Sequence, residues 1–352
     1  AEDGIRDARS SLVGSEMCIR DRICGDAHLA NFGVFAASDH SMVFDIGDFD
    51  ETLPGPWEWD VKRLATSFAI AARHVGFDAR ERRVAAEKPV AAYRRAMAGF
   101  ARMAYVDLWH TRLAGDTISA AFPALAGGAS KEPKPGTSGT DHLGTDLPAE
   151  LGLVTGADGA PRLAADPPIL VPLRELPAAE RPADLIEDID DVFQRYRATL
   201  APSRRALLER YEPIETARIL GGVRSLGIPR FVLLLIGRDP GDSLFLELKQ
   251  ASASVLEDEL PGSEHANHGQ RIVEGRRMMQ AVDDPFLGWS IGRSGEHYVG
   301  RRLQMVKGGT FETLFSFTHE GMWKLYKDTY HAYRSSVIVP ALDWEDSGLR
   351  GA

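Results

Sequence analysis

At 352 residues, with 44% hydrophobic and 26% charged residues, the chain is long enough for two packed lobes and has the composition of a globular protein. Its net charge of -10 argues against a dedicated nucleic-acid binder, and no apolar run reaches the roughly 18 residues that would read as a membrane span. The two cysteines are Cys18 and Cys24; the first lies in a suspect leader, leaving Cys24 without a disulfide partner, which suits a reducing cytoplasm.

Residues 1–22 read as a non-native leader. Glu16 to Arg22, EMCIRDR, corresponds to the translation of a transposase adapter used in sequencing libraries, so this stretch is expected to be an assembly artefact, with native sequence beginning near Ile23. The densest chemistry follows at once. In GDAHLAN, Asp26 and Asn31 lie five residues apart, a loop-sized separation that can aim an acid at a substrate hydroxyl while an amide oxygen faces a divalent ion. His28, beside Asp26, is a positioning candidate, although a loop histidine more often bonds backbone. GVFAASDHSMVFD has two short apolar runs around a polar turn, predicting a hairpin that brings Asn31 and Asp45 side by side at its base. Asp48, Asp50 and Glu51 come next. Carboxylates gathered this closely repel one another unless a cation or basic side chain neutralises them, and hard oxygen ligands of this kind suit Mg²⁺. Asp, Asn and Gly clusters also build turns, so a structural role stays open for each residue singly.

Trp57 and Trp59 read as packing anchors, and Asp60 as the N-terminal cap of the amphipathic helix DVKRLATSFAIAARHVG. Helical patterning continues to residue 114. Residues 115–168, rich in Gly, Pro, Ser, Thr and Asp, form a loop-rich insert, after which ADLIEDIDDVFQRYRATL resumes helix with its acids on a solvated face. From 217 to 251 three strands are expected: a lead-in to Gly221 and Gly222, then PRFVLLLIG, then SLFLELKQA beyond a turn at Arg238 to Asp242. In the third, Leu246 and Leu248 alternate with Glu247 and Lys249. Lys249 therefore opposes the leucines, a pattern that also fits a lysine turned to solvent. HGQRIVEGRRMMQAV predicts a helix with Met278 and Met279 as core filler, and DDPFLGWS a strand or hinge.

GDAHLAN, FDIGDFD and PGPWEWDVKRLA, in that order, resemble the catalytic segment of the aminoglycoside and choline phosphotransferase branch of the protein-kinase-like superfamily. There, GDxHxxN precedes an Asp motif and then an Asp heading a helix. More closely still, GDAHLANFG, FDIGDFDETLPGPWEWDVKRLA and FLELKQA are similar to a bacterial domain-of-unknown-function family, number 2252, over roughly Ile23 to Lys307. The superfamily resemblance implies an α+β, two-lobed kinase-like fold. It implies Asp26 as catalytic acid or base, Asn31 and Asp45 as metal ligands with Asp48 the competing ligand, and Asp60 as anchor of the catalytic loop. The cofactors implied are ATP or another nucleotide and Mg²⁺. Gly222, Ser225 and Gly227 would then form a phosphate-facing loop, Lys249 would reach the phosphates, and Glu274 would pair with Lys249. These parts lie about 200 residues after the catalytic segment, the reverse of kinase order, so a circular permutation is expected.

The expected organisation is a leader over 1–22, a catalytic hairpin and helical lobe over 23–210, a nucleotide-binding meander and helix over 211–300, and a helical tail over 301–352. The expected function is a Mg-nucleotide-dependent phosphotransferase whose partners are the nucleotide and a small-molecule or protein hydroxyl acceptor, with neither nucleic acid nor membrane. A catalytically silent nucleotide-binding module is the alternative, and a metal-dependent hydrolase using Asp26, His28, Asp45 and Asp48 a third.

Overall fold

The computed structural model describes residues 22–36, 42–74, 76–114, 153–156, 159–168, 170–176, 185–219, 228–281 and 284–303. Residues 1–21 of the expected leader over 1–22, the glycine-loop candidates Gly222, Ser225 and Gly227, and residues 304–352 of the expected tail lie outside the described residues. Within them the elements run β1 (Arg22–Ile23), β2 (Phe32–Ala36), β3 (Met42–Ile46), β4 (Leu53–Pro54), α1 (Trp57–His74), α2 (Ala79–Phe100), α3 (Tyr105–Trp109), β5 (Leu113–Ala114), β6 (Leu153–Thr155), β7 (Pro161–Leu163) and β8 (Leu170–Pro172). They continue with α4 (Leu185–Thr199), α5 (Pro202–Leu208), β9 (Glu212–Ile219), β10 (Arg230–Ile236), β11 (Ser243–Ala251), α6 (His268–Met279), β12 (Gly288–Ile291) and β13 (His297–Arg302). This is a mixed α+β architecture, with six α-helices among the described residues and antiparallel strand pairing throughout.

The main sheet has the order β12-β13-β11-β10-β9-β8. Strand alternation explains its two faces. Phe231, Leu233 and Leu235 of β10 and Leu244, Leu246 and Leu248 of β11 pack with Ile189, Val192, Phe193 and Tyr196 of α4. Those helix positions recur at the spacing that builds one apolar stripe. On the opposite face, Val232, Leu234 and Phe245 join Leu163, Leu170 and Ala217 in a second cluster. Because both faces are covered, β10 reads as the unbroken apolar run RFVLLLI, as a fully buried strand does. Although β8 and α4 precede residue 210, they complete the sheet on one side and cover it on the other. The expected boundary near 210 therefore runs through one packed unit.

Farther along that second face, Ala251, Val299, Ile272 and Val273 pack with Cys24, Ala27 and Phe49 from the front of the chain. This cluster joins segments some 200 residues apart. Met279 contributes to it, whereas Met278 is 56% exposed and is not core filler; the helix turns it outward. Asp60 lies in the first turn of α1, which begins three residues earlier at Trp57, and Trp57 stacks on Tyr93 of α2 with ring centroids 5.3 Å apart.

The paired positions Gly288 and Gly300 of β12 and β13 face the fully buried Tyr196 ring, and a Cβ at 300 would lie 2.5 Å from Tyr196 Cε2. Since a packed ring has nowhere to go, Gly300→Ala should lower unfolding free energy by about 1–3 kcal/mol. Chemical denaturation would measure it, and an unchanged midpoint would contradict the packing described.

Candidate functional site

The loop carrying Asp26 is held by its backbone. Asp60 accepts from the amides of Cys24 at 2.8 Å and Gly25 at 3.0 Å, using one carboxylate oxygen for each. Burial pushes the Asp60 carboxyl up, while the two amides act against that shift. Gly25 has φ +85, and a Cβ there would fall 2.5 Å from the Glu51 carbonyl oxygen, so glycine is required on both counts. The next residue, Asp26, is 5% exposed; Arg63 Nη2 lies 2.7 Å from its Oδ1 and His28 Nε2 lies 3.5 Å from its Oδ2. Asn31 Nδ2 donates to the Asp26 carbonyl at 2.5 Å, closing the loop. Burial beside Asp60 and Asp48 pushes the Cys24 thiol up, so it is a packing group without thiolate reactivity.

The hairpin of β2 and β3 pairs Phe32 with Ile46 and Gly33 with Asp45, and Gly47 donates to the Asn31 carbonyl at 2.7 Å. Asn31 and Asp45 thus both lie at its base. Asp45 is already engaged: Oδ2 accepts from the Ala281 amide and Oδ1 from the Ile46 amide, each at 2.8 Å. Burial pushes its carboxyl up, countered by these amides and by Arg276.

Beyond the hairpin, the acidic loop is captured by the second half of the chain. Arg271 of α6, fully buried, donates to the carbonyls of Thr52 at 2.8 Å, Asp50 at 2.7 Å and Ser252 at 2.9 Å. Glu51 Oε2 accepts from Ser254 Oγ at 2.7 Å and the Val255 amide at 2.9 Å, and Gln280 donates to the Ile46 carbonyl. Lys249 of β11 forms an ion pair with Asp50.

These contacts enclose a pocket of about 200 Å³ lined by Gly47–Asp50, Arg230, Lys249, Ile272, Arg276, Leu287, Val299 and Arg301. At its back Glu247, fully buried, is bonded by Arg230 and by Arg301 Nε at 2.6 Å. Sheet register brings them together: Glu247 faces Arg301 across β13 and Arg230 faces Lys249 across β10, placing Arg230 diagonal to Glu247. Burial would raise the Glu247 carboxyl, but Arg301 and Arg230 outweigh it and hold it at about 2. Arg276 donates Nε to Gln280 Oε1 at 2.6 Å; burial, then the like charge of Arg301, pushes it down to about 10.

Of the residues singled out from sequence, Asp48 and Lys249 line this pocket, and Asp26, His28, Asn31 and Asp45 lie on the adjoining loop and hairpin. Lys249 is not turned to solvent, its side chain being 13% exposed. The expected Lys249–Glu274 pair is absent: Lys249 takes Asp50, and Glu274 bonds Arg277 at 3.0 Å, one turn along its own helix. Sequence reasoning missed Arg63, Arg230, Glu247, Arg271, Arg276 and Arg301. Signals existed for some of them. Arg63 follows Asp60 by three residues and Arg276 follows Ile272 by four, so each shares a helix face with a residue that packs inward. Among the described residues no three His, Cys, Asp or Glu side chains are gathered closely enough to hold a metal by themselves.

The Glu247 cluster carries a pH signature. Its carboxyl is depressed in the folded state, so the stability it contributes is present above the ordinary glutamate range and is lost as pH falls toward about 2. Glu247→Gln should cost about 3–5 kcal/mol at neutral pH by leaving two guanidiniums facing a neutral amide. The variant should also show a shallower loss of stability than wild type between pH 4.5 and 2, measured by urea unfolding at each pH. Parallel pH profiles would contradict the assignment.

No curated protein and no solved structure matches the chain. A family model does match, over residues 14–313, and the chain belongs to that family, described as uncharacterized protein conserved in bacteria (DUF2252).

Proposed function

We propose that this protein is a kinase-like, Mg-nucleotide-dependent phosphotransferase acting on a hydroxyl acceptor, with its nucleotide-binding parts placed after its catalytic segment by circular permutation. One observation carries the reading: the acidic loop behind the Asp26 motif and Lys249, on the third strand of a meander followed by a helix, meet at one pocket. Kinases use a lysine on the third strand beneath a glycine loop, with a helix after it, and supply Mg²⁺ ligands from the catalytic loop and the Asp motif beyond it.

The residues fit a magnesium ion of the kind held by one or two carboxylates together with substrate phosphates. Asp48 is the better-placed carboxylate because it faces the pocket, whereas both Asp45 oxygens accept backbone amides. Asn31 and Asp45, at the hairpin base, would be the further candidates to hold the same ion. Mg²⁺ bound there would neutralise charge on the transferring phosphoryl group. Lys249 and the arginines would hold the phosphates, and Asp26, between Cys24 and Ala27 of the cluster that backs the pocket, would orient the acceptor hydroxyl and take its proton. Arg63 lies 2.7 Å from Asp26 Oδ1, an engagement that favours the silent-module reading as second choice.

Calorimetric titration with ATP, with and without Mg²⁺, together with measurement of phosphate release, separates these readings. The phosphotransferase reading expects Mg²⁺-dependent binding and slow phosphate release to water, with Asp26→Asn lowering release about 100- to 10,000-fold while leaving affinity unchanged. Binding without release would favour the silent module, and no nucleotide binding to the folded protein would defeat both.

A further inference from the structure

The pocket is too small to enclose a whole nucleotide, and its polar lining does not favour a nucleobase. Its volume of about 200 Å³ lies below the roughly 300–1,000 Å³ of pockets that take whole drug-sized ligands, and no aromatic side chain other than Phe49 lines it. Four cations, Arg230, Lys249, Arg276 and Arg301, converge on three carboxylates, Asp48, Asp50 and Glu247. Asp50 is taken by Lys249, and Glu247 is shared by Arg230 and Arg301. Arg276 is 7% exposed and donates only its Nε, to Gln280; among the described residues its Nη1 and Nη2 have no acceptor. A guanidinium this buried, with like charge from Arg301 beside it, is costly to keep; Asp284, Asp45 and Glu247 offset part of that cost by charge, but none of them accepts a hydrogen bond from it. Two donors aimed in parallel match the oxygens of a phosphoryl group.

We infer that this pocket is a phosphoanion site that recognises its ligand by phosphoryl groups alone, with Arg276 as the specificity-determining residue and no contact to a base. The inference rests on the phosphotransferase reading for its setting and deepens it. The ligand is a compact diphosphate or triphosphate, whether free or at the end of a larger molecule. Asp48, among the lining residues, would repel such a ligand unless a divalent cation neutralised it, so Mg²⁺ should strengthen binding.

Calorimetry on the full chain with sodium diphosphate, tripolyphosphate, ATP and adenosine, each with and without Mg²⁺, distinguishes the sources. Tripolyphosphate should bind within about tenfold of ATP, diphosphate should bind detectably, and adenosine should not bind. Arg276→Gln should weaken all three phosphate ligands by roughly 10- to 100-fold, the loss of charge-assisted hydrogen bonds, while Arg276→Lys should retain part of the affinity. Thermal unfolding of each variant separates lost binding from lost fold, and the wild-type ligand series stands even where a variant unfolds. Adenosine binding as tight as ATP, or ATP binding with no response to diphosphate and tripolyphosphate, would overturn the inference. The latter result would leave the phosphotransferase reading intact. Conversely, phosphoanion binding with no phosphate release would leave the site standing and remove catalysis.

Discussion

The arrangement depends on Arg271. Its guanidinium, without solvent exposure, holds three carbonyl oxygens belonging to two distant stretches of chain: Asp50 and Thr52 at the front, and Ser252 just beyond β11. Burial pushes this arginine down, and Glu257, Glu51 and Asp50 offset that by their charge. A buried cation needs fixed acceptors; Nη1 and Nη2 find theirs in these three carbonyls, while Nε has no hydrogen-bond partner among the described residues, and the carbonyls tie the acidic loop to β11 and α6. Once that loop is fixed, Asp50 meets Lys249, Asp48 lines the same pocket as Arg230 and Arg301, and the hairpin base is drawn to Gln280 and Ala281.

A second constraint works from the other side of the Asp26 loop. Asp60 uses both oxygens on the backbone of Cys24 and Gly25, and it does so from the first turn of α1, where the helix dipole favours an anion. Arg63, one turn along, meets Asp26. One helix turn therefore both shapes the loop and supplies the counter-charge for its acid. Between Asp60 and Arg271 the front motif is clamped at both ends, with Phe49 and Ala27 packed between the clamps.

The parts legible in sequence were those written in local patterns. The hairpin from Phe32 to Ile46, the meander of β9 to β11, and helices α1, α4 and α6 follow from apolar periodicity and turn residues, and the alternation in SLFLELKQA correctly separated Lys249 from the leucines. What that alternation could not say was what covers the Lys249 face, since its cover comes from a loop 199 residues earlier. The Lys249–Glu274 expectation failed for the same reason: Asp50 was the nearer carboxylate, and only the tertiary arrangement reveals it. Glu247, which alternation puts on the Lys249 face, is fully buried between two arginines from neighbouring strands, a relation set by register.

The central claim is that the acidic loop and the cationic sheet face form one metal-phosphate site. Paramagnetic broadening of the phosphorus resonances of bound ATP by Mn²⁺ tests this most directly, on wild type and on Asp48→Ala. The account predicts strong broadening of the phosphate signals in the wild-type complex and its loss in the variant while ATP remains bound. Broadening of equal strength in both proteins would contradict it.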